Sequence, residues 1–140
     1  MATLAGNVLI RRLRLLLATL ALASPLAIAT RLQPSPSGLG THQQLGLPPC
    51  TIRVLWGIRC PSCGMTTSWA YAVRGQWGKA LQANASGLLL AVACAAAVLV
   101  MASATFVGRW PSRAWMVAGL WSVSVIWLIA LAEWAYRLLG

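Results

Sequence analysis

The chain's 140 residues have room for one domain, and its 59% hydrophobic and 9% charged content falls far from the ~25% charged residues of soluble domains. A single acid, Glu133, excludes a Ser-His-Asp set and paired-carboxylate catalysis, and there is no Gly-x-Gly-x-x-Gly or P-loop run. The net charge of +10 comes almost entirely from arginines standing singly at the edges of apolar runs. That placement suits anionic lipid headgroups and argues against nucleic acid as a partner, which would call for basic runs or one basic face.

The first apolar run covers residues 15–30 and follows Arg11, Arg12 and Arg14. Sixteen uncharged residues make about 24 Å of helix, short for a ~30 Å hydrocarbon core. The small residues Ala27-Ile28-Ala29 also fit a signal peptide cleaved after Ala29. The retained anchor is preferred, because the run exceeds the ~7–15 residues that a signal needs.

Residues 31–83 change character. Pro34, Pro36, Pro48 and Pro49, interspersed with glycine and serine, predict an irregular loop. His42 lies within it and reads as a solvated loop histidine, with a metal-ligand role as the weaker alternative. Ile52, Val54, Trp56 and Ile58 alternate with other residues, which predicts a short extended segment. From Met65 the period turns helical. Met65, Trp69, Ala72, Val73, Trp77, Ala80 and Leu81 make one apolar side, with Thr67, Arg74, Gly78 and Gln82 opposite. Two short amphipathic helices are expected, near 64–74 and 76–83, parted at Gly75 and lying in the membrane interface.

Two further spans follow, at 84–107 and 114–132, joined by the short basic hinge Gly108 to Arg113. Small residues recur every four positions at Gly87, Ala91 and Ala95, and again at Ala114, Ala118 and Ser122. Such faces suit close helix packing, within the chain, with a second copy or with another membrane subunit. Trp110 and Trp115 mark one interface, Trp134 and Tyr136 the other. Glu133 precedes Arg137 by four residues and is read as an interfacial ion pair rather than a proton relay. Arginines before the first span and in the hinge favour a cytoplasmic side for both. Arg31, Arg53, Arg59, Arg74 and Lys79 in the loop nearly balance them, and the first span, which usually governs insertion, places the cysteine loop and the C-terminus outside.

Sulfur carries whatever chemistry the chain has. Cys60-Pro61-Ser62-Cys63-Gly64 follows Cys50 by ten positions. A helix starting near Pro61 would place Cys60 at its positive end and favour the thiolate there. Three readings follow: thiol–disulfide exchange with Cys60 attacking and Cys63 resolving, a zinc-type metal site of Cys50, Cys60 and Cys63 completed by His42, or one structural disulfide from Cys50 to Cys60 or Cys63. Cys94 sits mid-span as a small apolar filler.

Pro48-Pro49-Cys50, Gly57, the run from Cys60 to Thr66, Gly75, Ala80 and Asn84-Ala85-Ser86-Gly87 together resemble a family of small bacterial membrane proteins known only as a domain of unknown function. Its signature is Cys-x9-Cys-Pro-x-Cys-Gly-x-Thr, and the resemblance covers residues 48 to about 107. Two positions depart from it: Thr67 stands where an arginine is common, and Ala85 where the step into the helix has proline. A role of that arginine toward an anionic partner would therefore be missing here. The resemblance implies a bacterial inner-membrane location and no established reaction.

The expected architecture is an all-α membrane protein, a single membrane domain over 1–140. It has about three transmembrane helices, two if the first is a cleaved signal, plus short interfacial helices in a cysteine-bearing loop. The expected role is a non-enzymatic membrane component whose loop is held by disulfide or metal. The alternative is a membrane thiol oxidoreductase, or its redox partner, using Cys60 and Cys63.

Overall fold

The computed structural model describes residues 2–139, and its regular elements among them are all helices, with no strand. Three long helices dominate: α1 (Ala2–Arg31), α5 (Ala85–Val107) and α6 (Arg113–Leu139). Between α1 and α5 lie a 3-10 turn at Thr41–Leu45 and the short helices α2 (Thr51–Trp56), α3 (Met65–Ala72) and α4 (Trp77–Ala83). The long helices contain apolar stretches of 24, 23 and 27 residues, each enough to cross a bilayer. Their outer side chains are bare. Phe106 is 86% exposed and Leu120 71%, which in water would forfeit most of the hydrophobic gain and in lipid costs nothing. The chain is a membrane-spanning protein.

α5 is the central helix. α1 and α6 both pack on it, and among the described residues their backbones do not approach each other closely. α1 runs antiparallel to α5: the Thr19 hydroxyl meets that of Thr105 at 3.3 Å, and the Cys94 thiol donates to the Leu22 carbonyl at 3.3 Å. Pro25 breaks the backbone ladder of α1 by lacking an amide for Ala21, and the Ser24 hydroxyl donates to the Ala21 carbonyl at 2.8 Å instead. Inside lipid, where an unpaired carbonyl is costly, that substitution lets α1 run on through its proline.

The two ends of the bundle are distinct. Arg12 lies against Gly108, so the start of α1 and the α5–α6 hinge share one end. At the other, the Trp134 indole donates to the Arg59 carbonyl at 2.6 Å, joining the end of α6 to the cysteine loop. Arg137 and Glu133 pair there, as their spacing predicted. Arg74 reaches from the end of α3 to the last carbonyls of α1, donating to Thr30 at 3.0 Å and Ala29 at 3.3 Å. A cation on a helix C-terminus meets both the unpaired carbonyls and the negative end of the dipole.

The two short helices near 65–83 form where periodicity places them, with Gly75 in the left-handed conformation (φ +71) between them. Two local expectations need correction. Residues 52–58 are not extended; Thr51–Trp56 is a helix, its first turn closed by the Val54 amide on the Cys50 carbonyl at 3.0 Å. A lone strand would leave its backbone unpaired, whereas a helix satisfies itself. The faces of α3 and α4 also differ from the expectation. Trp77 and Leu81 are exposed, while Thr67 and Ser68 are buried. Both polar groups are satisfied in place: Thr67 bonds Thr41 at 2.8 Å, and Ser68 donates to the carbonyls of Ala80 and Asn84, each at 2.9 Å. Of the small-residue row on α5, Gly87 and Ala91 are buried and Ala95 is exposed.

Candidate functional site

The cysteine site is built on the turn that precedes α3. Two tight turns carry the chain through Pro61 to Gly64, with the Cys63 amide on the Cys60 carbonyl at 3.0 Å and the Met65 amide on Ser62 at 3.1 Å. Gly64 starts α3 at φ +88, a conformation costly for any residue with a side chain. Space forbids a side chain as well: a Cβ here would stand 2.5 Å from the Ala83 carbonyl oxygen and 2.9 Å from that of Gly38. The Cys63-Gly64 pair is thus pressed against the end of α4.

Asn84 fixes the turn from the other side. Fully buried at the junction of α4 and α5, it accepts from the Gly87 amide at 2.6 Å and the Ser86 hydroxyl at 2.7 Å. Its amide nitrogen donates to the carbonyls of Cys63 at 3.1 Å and Pro61 at 3.3 Å. All the hydrogen-bonding capacity of the side chain is used. Ala85 follows as the first helical residue of α5, the position where proline is also tolerated. Gly87 has to be small, since a Cβ on it would lie 3.2 Å from both Met65 Cα and Ser68 Cβ.

Cys50 enters from the start of α2. Its sulfur and those of Cys60 and Cys63 all lie within 4.8 Å of one another. Among the described residues all four cysteines are free; Cys60 and Cys63 are in thiol–thiol contact at 3.2 Å, well beyond the ~2.05 Å of a disulfide. Cys94 takes no part, being within α5. Zinc–sulfur bonds of about 2.3 Å put tetrahedral sulfurs about 3.8 Å apart, so the triad needs only small adjustments to hold such an ion. His42, on the 3-10 turn, lines the same cavity but stands outside this set of ligand atoms.

The thiols are not equivalent. The Arg53 backbone amide pointing at Cys50 draws its pKa below the ordinary thiol value, helped by the neighbouring sulfurs. Burial, with Cys63 and Cys50 beside it, pushes Cys60 up to about 12. The expected activation of Cys60 by a helix dipole is therefore reversed. α3 begins at Met65, too far along for Cys60 to cap it, and the residue standing before a helix is Cys50.

The three cysteines form part of the wall of a cavity of about 490 Å³. Arg53, His42, Gln43, Thr66 and Thr67 contribute its polar lining. Sequence reasoning brought the three cysteines forward but passed over Arg53 as a lining residue and Asn84 as the support. The signal for Asn84 was present, as an Asn immediately before a long apolar run is a strong N-cap pattern.

Residues 50–98 match the family model described as a protein of unknown function, DUF2752. The match opens on Cys50, takes in the Cys60–Cys63 turn, α3, α4 and the Asn84 cap, and ends within α5. The first span and α6 lie outside it. No curated protein and no solved structure matches the chain.

Proposed function

We propose that this chain is a non-enzymatic membrane component whose loop is stapled by a thiophilic divalent metal ion, of the zinc class, on Cys50, Cys60 and Cys63. The observation that carries the reading is the approach of three sulfurs, from two separate stretches of chain, to within 4.8 Å. An ion there would tie the start of α2 to the turn before α3. Metal content of the detergent-purified protein tests it. About one zinc per chain is expected, lost in each of C50S, C60S and C63S; a metal-free wild type with intact thiols overturns it.

A second reading rests on the 3.2 Å contact of Cys60 and Cys63. The pair could pass two electrons and two protons to a disulfide-bearing partner, itself closing to a disulfide while the partner's opens to two thiols. Metal and disulfide exclude each other at these sulfurs, so the mass of the alkylated protein as isolated separates the two readings.

The reading extends to placement: a single membrane domain in a bacterial inner membrane, with the cysteine end facing the periplasm. Support comes from Arg11, Arg12, Arg14, Arg109 and Arg113 gathered at the opposite end. At the cysteine end, Arg137 is paired with Glu133 and Arg74 is turned onto α1. Self-association or docking of another membrane subunit would use α6, whose Ala114 and Ala118 are exposed. Crosslinking in native membranes that returned only monomer would remove that part.

A further inference from the structure

A divalent ion on Cys50, Cys60 and Cys63 has three protein donors where a tetrahedron takes four. The composition of the chain leaves few candidates for the fourth. Its one acid, Glu133, is paired with Arg137, and Cys94 is inside α5. Its one histidine, His42, lines the cavity without joining the set of ligand atoms within 4.8 Å.

Structural zinc sites are closed by four protein ligands, whereas sites with three keep one position for an incoming molecule. Here the three cysteines line a cavity of about 490 Å³. That is within the ~300–1,000 Å³ of small-molecule sites and much more than a water needs. Arg53 is the sole formal cation among the lining residues, and no acid lines the cavity. Three thiolates around a divalent ion carry a net negative charge, so an incoming anion has to be balanced from the wall. Arg53 is placed to do it, with a fork geometry suited to a carboxylate.

Resting on the metal reading above, we propose that the fourth position opens into this cavity and takes a small thiol that bears a carboxylate. Its sulfur replaces water on the metal, its thiol proton passes to solvent, and its carboxylate lies toward Arg53. No electrons are transferred.

The full-length chain in detergent, loaded with cobalt(II), reports this through visible absorption. Mercaptoacetate and 2-mercaptoethanol are the probes. Both are expected to intensify the thiolate–cobalt absorption saturably, mercaptoacetate binding roughly tenfold tighter because it adds a charge-assisted contact. In R53Q that preference for mercaptoacetate is expected to shrink to about twofold or less, while H42A leaves the cobalt spectrum before thiol addition unchanged. A bound cobalt that ignores both thiols but changes its spectrum in H42A overturns the proposal in favour of a closed site. Extraction of cobalt by the thiols, read as lost stoichiometry, also overturns it. Failure of the metal reading is distinguishable, because cobalt then fails to bind before any thiol is added.

Discussion

The side-chain amide of Asn84 donates to the carbonyl of Cys63 at 3.1 Å. One residue therefore caps a membrane-spanning helix and holds the backbone of the cysteine turn. The residues that begin α5 and those that position the sulfurs are a single hydrogen-bonded unit, and this unit lies wholly within the stretch that matches the family.

Substituting Asn84 separates its two duties. N84A strands the Gly87 amide and the carbonyls of Cys63 and Pro61 in a buried place, and is expected to cost about 3 kcal/mol. N84D keeps an acceptor for Gly87 and Ser86 but turns a carboxylate toward two carbonyls. It should retain the helix content seen by circular dichroism while weakening zinc retention at least about tenfold. An N84D protein holding zinc as tightly as the wild type would disconnect the cap from the site.

Thiol reactivity in the metal-free protein should follow the order of the shifts. Cys50 has its pKa lowered, so its alkylation rises with pH before that of an ordinary thiol. Cys60, raised to about 12, stays protonated and unreactive until far higher pH. The consequence for stability has opposite signs. The Cys50 contribution is present above the unfolded value of 9.0 and is lost as pH falls through its lower folded value. The Cys60 contribution is present below 9.0 and is lost as pH rises toward 12. Peptide mapping after brief iodoacetamide treatment at several pH values measures the order; Cys60 labelled before Cys50 contradicts it.

Gly64→Ala should be among the most damaging single changes in the loop. The added methyl group meets two backbone carbonyl oxygens, at 2.5 and 2.9 Å, on a residue at φ +88. A loss of about 2–4 kcal/mol is expected. Gly57 is the matched control, since it has a positive φ of +69 but nothing within 4 Å. G57A should cost only about 1 kcal/mol, the conformational part alone. Thermal unfolding in one detergent compares the two.

Arg74 makes the fate of the first helix testable. Cleavage after Ala29 would remove one of its acceptors and place a new ammonium on Thr30, beside the guanidinium. It would also strip α5 of the helix that meets it at Cys94 and Thr105. Intact mass of the membrane-extracted protein is expected to include α1. R74Q should loosen the α1–α3 junction by about 1–2 kcal/mol, the value of hydrogen bonds from a charged donor after allowance for its partial exposure.

The three spans were legible because lipid imposes one simple requirement, a long uncharged helix, and residues 85–107 meet it with no competing pattern. The triad was legible as spacing, since sulfur was the only reactive chemistry left. What could not be read were features that depend on where the chain goes next. Thr67 looks like a surface residue in its own helix and becomes interior only because Thr41, 26 positions earlier, folds over it. The alternation at 52–58 is equally compatible with a strand and with a short helix, and the absence of a neighbouring strand decided it. Cys60 looked activated on the assumption that α3 began at Pro61; two turns before Met65 displaced the helix and moved the favourable amides to Cys50.

Ser68 has one further consequence. Its hydroxyl shares its proton between the Ala80 and Asn84 carbonyls, which already accept the Asn84 and Leu88 amides where α4 bends into α5. The knee between those helices is thereby pinned to α3 by a side chain. That pinning leaves Trp77 and Leu81 exposed on the same short helix, an apolar pair whose residue types suit headgroup depth.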